Sequence, residues 1–552
     1  MRKRIYVGLA IAVLTLAGYV LFPGHTYLQS DTQIYVPMLE RLWNPAVLQR
    51  DFMVQRPHMA FTIYDEVAVA LRRWTGLGFR EVLTLQQLLF RALGILGIYL
   101  IARSFHLGSR MSLLAAGIAG LGATVWGPTV LTVEYEPVPR GFALPLLFLA
   151  MGLLARGWHL GAGAAASLAL LYQGTTTLPF WLCYLCLLGW PAERRLRLRR
   201  LLGLLPLLAA ALAMFVLARL QSAPAQPLFS FERLAPWWEQ VLRLRSTYIW
   251  ISLWFPRWYW HYALLWAVAA AAIWRLRKQA GPELLVPLAG LPMVGMLSLP
   301  ASYWLLEVSK STLAPQLQPM RAVLFVTAIA ILLASVAGIR AAQSGRRVEA
   351  FCWLVIAFAA PTGNAIQDIL LPDPRDPVIV RRLLLVLLLS ACAVAVAWGD
   401  KAKRRWTSPA WAALMVLPFF LYPALGGVEN YPKPDGADVS DLSRWAQSNT
   451  GEDAVFLFPD AKRELYPGVF RAMALRAVYV DWKGGGQGNY LKDIAREWWE
   501  RWQAVMAPRF KPGNPGRYAG MGVNYVVVRQ SERSQGETPV FENSSFSVYR
   551  IR

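Results

Sequence analysis

Carboxylates are scarce in this chain. Its 552 residues hold 33 Asp and Glu against 56 Lys and Arg, a net charge of +23. Charged residues of both signs make up 16% and hydrophobic residues 56%, whereas soluble domains carry about 25% charge. So little charge excludes a surface wholly solvated by water, and lipid becomes the main solvent. There are four cysteines. Cys183 and Cys186 have CxxC spacing, but both sit in the apolar stretch Trp181–Leu188. With Cys352 and Cys392 they read as small buried hydrophobes, not as reactive thiols or metal ligands. The histidines (His25, His58, His106, His159 and His261) are scattered without metal-ligand spacing. Walker A, HExxH and GxSxG patterns are absent, which disfavours ATP-driven transport and zinc proteolysis. Gly484-Gly-Gly-Gln-Gly488 lacks the strand–glycine–helix order of a dinucleotide site.

The cationic excess is unevenly spread. Residues 1–426 hold 39 Lys/Arg and 18 Asp/Glu, and residues 427–552 hold 17 and 15. The surplus falls in short runs between apolar stretches, where it sets membrane topology and forms no nucleic-acid groove.

Thirteen apolar stretches are long enough, or nearly so, to cross a bilayer. They are 5–22, 84–102, 110–130, 141–155, 160–174, 176–190, 201–219, 257–274, 283–299, 322–339, 348–361, 382–398 and 408–425. Several are short for the task, and the fourth, fifth and eleventh could be partly re-entrant. With Met1 inside, every second loop is basic: Arg103/Arg110, Arg156, Arg194–Arg200, Arg275/Arg277/Lys278, Arg340/Arg346/Arg347 and Lys401/Lys403/Arg404/Arg405. A miscounted span would invert that phase. The N-terminus is therefore expected in the cytoplasm and the C-terminus outside. Met1–Arg4 followed by Ile5–Phe22 is read as a retained first helix, since no small-x-small cleavage site follows.

The outer loops differ in kind. Residues 23–83 form a long first loop in which Ile34–Trp43 and Phe61–Trp74 have the spacing of helices lying along the membrane surface. Others cover Thr132–Arg140, about 220–256, 300–321 and 362–381. The aromatic stretch Tyr248–Tyr262 reads as an interfacial belt. From residue 427 the composition is that of a soluble domain. Helices are expected at Asp438–Gln447 and Leu491–Met506, and strands at Ala454–Phe458, Ala477–Val480, Tyr525–Val528 and Phe546–Ile551. The expected fold is mainly α: a polytopic membrane helical bundle over 1–426 with a small C-terminal extracytoplasmic α/β domain over 427–552.

The residues that carry chemistry gather at the outer surface. Asp31 follows the first span. Beside lipid, desolvation would raise its proton affinity and suit a general base; an N-cap of the following surface helix is the other reading. Glu134 and Glu136 form an acidic pair in the second outer loop, able to hold an acceptor or a divalent cation, or else to sit in a solvated turn. Arg321, with Arg140, Arg381 and Arg382, runs against the positive-inside bias. Each either snorkels to lipid headgroups or binds a phosphate.

This arrangement resembles the C-class glycosyltransferases (GT-C), multispanning enzymes that use polyprenyl-phosphate sugars. The likeness lies in Asp31 in a long first loop, in Glu134 and Glu136 after the third span, and in Gln316-x-Gln-Pro-x-Arg321 before a late span. It extends to a C-terminal region holding Asp438–Phe458 and Arg476–Lys483. The resemblance implies an inverting transfer with Asp31 as base and Glu134 or Glu136 serving acceptor or metal. Arg321 and Arg140 would bind the donor phosphate, with Tyr35, Gln318 and Lys483 lining the cavity. The implied partners are a polyprenyl-phosphate sugar, membrane lipid, and a glycan, lipid or protein acceptor, in the inner (cytoplasmic) membrane. Asp31 is followed by Thr32 where many members carry a second acid, so a divalent cation is possible but not required. A transporter or flippase of a lipid-linked or anionic substrate is the alternative, as is a silent assembly protein. The chain shows no internal repeat of the kind transporters carry.

Overall fold

A computed structural model describes residues 2–55, 62–220, 232–428, 436–508, 515–534 and 536–551. His58 and the first residue of the expected Phe61–Trp74 helix lie outside them, as does part of the 220–256 loop. Among the described residues, a helix occupies each of the thirteen apolar stretches, from Arg2–Val20 to Thr407–Ala424. Six helical segments are long and apolar enough to cross a membrane, Phe79–Ser104, Pro282–Val308 and Leu313–Gln343 among them. Val323–Gln343 is the hub: its apolar residues are buried on every side. A helix hydrophobic all round must be enclosed by others. Phe79–Ser104 and Pro139–Leu154 cross closely, because a Cβ on Gly97 would come within 2.3 Å of the Phe148 backbone. Small residues at a crossing let two backbones approach inside lipid.

Three expectations are corrected. The third apolar stretch is helical only over Ser109–Gly120; the chain then turns at Gly122 into a two-stranded hairpin, β1 (Thr124–Val125) and β2 (Val130–Leu131). Gly122 and Gly127 have φ of 73° and 86°, a region that favours glycine and ends a helix. Of the cysteines only Cys183 is buried, while Cys186, Cys352 and Cys392 lie exposed on the outside of the bundle. Hydrophobicity alone does not distinguish facing lipid from facing core. The Tyr248–Tyr262 stretch divides: Trp250, Trp254 and Tyr262 are buried, and Trp260 is exposed.

The basic loops meet at one end of the bundle. Arg110 pairs with Asp400, Arg275 with Glu349, and Arg347 stacks on Trp398. At the other end the first loop forms helices Thr32–Trp43 and Tyr64–Thr75, joined by Arg72–Glu40. There too sits the C-terminal region, whose sheet contains β3 (Val455–Leu457), β4 (Ala477–Val478), β5 (Tyr525–Arg529), β6 (Phe541–Glu542) and β7 (Phe546–Arg550). The strand order is β4-β3-β5-β7-β6, with β3 parallel to β4 and β5 and the rest antiparallel. Helices Ala437–Asn449 and Lys492–Val505 lie where expected, and the expected Ala477–Val480 strand is shortened to two residues. The helix Tyr466–Ala474 was not legible; it packs against Thr32–Trp43.

Candidate active site

The site is built on the Thr132–Arg140 loop. Its backbone is fixed by buried side chains: Arg91 donates to the Glu134 carbonyl at 2.6 Å, Gln87 to that of Tyr135 at 3.0 Å, and Tyr64 to that of Pro137 at 2.6 Å. Pro137 and Pro139 stiffen the turn, and Pro139 opens the Pro139–Leu154 helix. A proline in the first turn gives up no hydrogen bond. Arg140 follows it at a helix N-terminus, which disfavours a cation unless acids surround it. They do. Arg140 Nε donates to Glu134 Oε1 at 2.7 Å, and Nη1 to Asp31 Oδ2 at 2.7 Å.

Glu136 turns the other way. Its carboxylate accepts from the Ser30 and Asp31 amides at 2.6 and 2.8 Å and from the Thr32 hydroxyl at 2.7 Å. It clamps the first loop, so that Asp31 faces Arg140. Burial pushes the Glu136 carboxyl up, and the charge of Asp31 adds to the effect. Asp31 stands at the N-cap position of Thr32–Trp43 but makes no side-chain cap bond, so the capping reading falls away. The expected rise in its proton affinity is overturned too. Burial alone would raise it, but Lys483, Arg140 and then Arg321 outweigh burial and hold the carboxyl far below its usual range.

The remaining walls come from later in the chain. Lys483 Nζ reaches Asp31 Oδ1 at 3.2 Å and Ser30 Oγ at 2.5 Å. Its loop is held by Asp481, which accepts from the Lys483 amide at 3.1 Å. The neighbouring glycine run serves close packing: a Cβ on Gly485 would sit 2.5 Å from the Trp498 ring. Gln318 donates to the Tyr490 hydroxyl at 3.1 Å. It adopts φ 46° and ψ 57°, a left-handed conformation that costs a non-glycine residue roughly 1 kcal/mol or more. Arg321 follows, just before the central Val323–Gln343 helix. Its guanidinium stacks on Tyr248, 5.4 Å from the ring centroid, and its buried Nε has no hydrogen-bond partner. Among the described residues it makes no ion pair. Tyr35 lies beside these groups; burial, and then the charge of Asp31, keep its hydroxyl protonated.

Eight of the ten residues singled out from the sequence, all but Arg381 and Arg382, thus belong to one cluster. Residues not singled out also contribute. Arg245 donates to the Trp482 carbonyl at 2.7 Å, and Asn489 to the Tyr248 hydroxyl at 2.8 Å. Tyr490 closes the same wall. A lone Arg or Tyr in a loop carries no signal without its neighbours. Arg382 lies elsewhere, bonded to the Gly426 carbonyl at 3.0 Å.

The acids do not suit a divalent cation. Both Glu136 oxygens and one Glu134 oxygen accept from short protein donors, and Arg140 and Lys483 stand on Asp31 where a metal would stand. Among the described residues no group of three His, Cys, Asp or Glu side chains is placed to hold one. What the cluster offers is a reachable carboxylate within a surplus of positive charge, which attracts an anion.

Residues 437–505 match the family described as a domain of unknown function, DUF6798. No curated protein matches the chain. Among solved structures, the chain is similar to ArnT from Cupriavidus metallidurans, with 15% identity, 99% of this chain and 98% of that chain covered, and a TM-score of 0.46. It is similar to the oligosaccharyltransferase AglB from Archaeoglobus fulgidus, at 14% identity over 95% and 69% of the two chains, with a TM-score of 0.43. It is also similar to the arabinofuranosyltransferase AftD from Mycobacteria, at 14% identity and a TM-score of 0.44, covering 99% of this chain and 41% of that one. Likenesses this distant carry no chemistry, and the functional reading rests on the geometry.

Proposed function

We propose that the chain is an integral membrane glycosyltransferase acting on the extracytoplasmic face of the inner membrane. It takes a sugar from a polyprenyl-phosphate donor and gives it to a glycan, lipid or protein acceptor. The observation that carries this reading is the meeting of Asp31, Glu134, Glu136, Arg140, Arg321 and Lys483 at the end of the bundle opposite the basic loops, with the Arg321 guanidinium left without an acceptor among the described residues.

In this reading the donor phosphate lies against Arg321 and Arg140. Asp31 takes the proton of the acceptor hydroxyl as that oxygen bonds to the anomeric carbon. The bond from that carbon to the phosphate oxygen breaks, its electron pair leaves with the phosphate, and the cations receive the charge. The same cations keep Asp31 a weak base in the free protein. An arriving phosphate draws on their charge, and the carboxylate becomes a better proton acceptor. Glu134 and Glu136 position Arg140 and Asp31, while Tyr35, Gln318 and Lys483 line the donor.

The test uses purified protein in sealed proteoliposomes with labelled polyprenyl-phosphate sugars and acceptor extracts. The wild type makes a new glycosidic bond, and Asp31→Asn does not. Full transfer by Asp31→Asn would remove Asp31 from the mechanism. Label crossing the vesicle wall without a new bond would establish a transporter instead.

A further inference from the structure

The end of the bundle that gathers the basic loops holds a cleft of about 280 Å³, lined by the Gly157–Gly161 turn together with Arg199 and Leu202. Three features converge on it. The turn opens the fourteen-residue helix His159–Tyr172, whose N-cap, Trp158, supplies no side-chain acceptor. The first N–H groups of a helix have no carbonyl partner within it, and they carry the positive end of its dipole. His159 lines the cleft yet is 2% exposed, and neither ring nitrogen has a hydrogen-bond partner. A buried imidazole always presents at least one N–H. Arg199 makes no ion pair among the described residues, and its neighbour Arg200 is turned inward, bonded to Glu283 at 2.8 Å and to the Leu187 carbonyl at 2.9 Å. Backbone amides, an unpartnered ring and an available guanidinium around one hollow suit a phosphate.

We infer that this cleft is a second anion site, which takes the phosphate of an anionic phospholipid headgroup. The surroundings favour a lipid over a soluble ion. On the short helix Arg194–Leu202, the exposed Arg194, Arg195, Arg197 and Arg199 alternate with exposed Leu198, Leu201 and Leu202. Leu160 is exposed beside the cleft. Cations and leucines on one exposed surface match the boundary where headgroups meet acyl chains. The site lies opposite the Asp31 cluster and shares no residue with it.

The test titrates full-length protein in a zwitterionic detergent with short-chain phosphatidylglycerol, short-chain phosphatidylcholine or inorganic phosphate, and reads affinity by thermophoresis. Phosphatidylglycerol is expected to bind at least tenfold tighter than phosphatidylcholine. Arg199→Ala should weaken it about fivefold, as one cation near an anionic surface does, and His159→Gln should weaken it several-fold. Arg405→Ala, an exposed cation on another loop of the same end, should change nothing. Equal affinity for the two lipids, or a preference that survives both Arg199→Ala and His159→Gln, would overturn the site. Inorganic phosphate displacing phosphatidylglycerol at equal concentration would overturn the lipid assignment.

Discussion

Two clusters of acid and arginine join the long first loop, residues 23–83, to the rest of the protein, and they differ in how completely they are closed. In one, Arg471 lies between Asp51 and Asp481, with side chains 0%, 0% and 2% exposed. Every group is used: Asp51 also accepts from the Val478 and Met53 amides, and Asp481 from those of Lys483 and Gly484. In the other, Asp31, Arg140 and Lys483 are 26%, 16% and 12% exposed, and Arg321 beside them makes no ion pair among the described residues. Buried charge survives when it is fully paired. The first cluster is a brace that fixes the C-terminal region on the first loop. The second is open enough to exchange one of its own partners for a ligand. Position on the same seam does not decide the role; incomplete satisfaction does.

Breaking either cluster should sharpen this contrast. The largest effect on stability is expected from Arg471→Met, which leaves two buried carboxylates facing each other and costs about 3–5 kcal/mol, read as a lowered thermal unfolding midpoint in detergent. A midpoint equal to wild type would show that the brace bears no strain of folding. Asp31→Asn should lower that midpoint less than Arg471→Met does, and lower transfer by roughly 10²–10⁴, the range for a general base. Loss of folding in Asp31→Asn would erase the distinction between the clusters. Arg321→Ala should weaken donor binding by about 1.5–3 kcal/mol, as losing a charged hydrogen bond does, with the midpoint unmoved; unaltered donor affinity would make Arg321 a snorkelling cation.

The smallest expected effect is on pH dependence. Lys483 is the foremost charge holding the Asp31 carboxyl down. A carboxyl depressed in the folded state contributes stability above its unfolded pKa of about 3.9 and loses it as the pH falls through the folded value. Lys483→Met should therefore move the acid limb of the transfer profile toward neutral pH and leave the alkaline limb in place. A profile that does not move would place the control of Asp31 with Arg140 and Arg321.

Much of this fold is legible in the sequence. The thirteen stretches and the alternation of basic loops located the helices, because burying backbone in lipid leaves few alternatives to a helix. The third stretch misled because hydropathy does not register Gly122 and Gly127, where the chain turns. The Tyr466–Ala474 helix was missed because it is short, opens with Tyr466-Pro467, and owes its burial to the distant Thr32–Trp43 and Ala437–Asn449 helices. Asp31, Glu134, Arg140 and Arg321 stood out because a charge beside lipid needs a reason. Arg471 and Arg245 did not, because nothing in their local sequence distinguishes a buried arginine from an exposed one.

The sequence by itself determined the apolar helical stretches, the basic loops between them and the presence of charge at the opposite end of the bundle, since these follow from transfer free energies summed over neighbouring residues. Only the tertiary structure decided which carboxylate clamps, which is paired and which cation is left over. It also reversed the expected proton affinity of Asp31. Burial and charge act on that carboxyl in opposite directions, and the cations that win come from residues more than a hundred positions away.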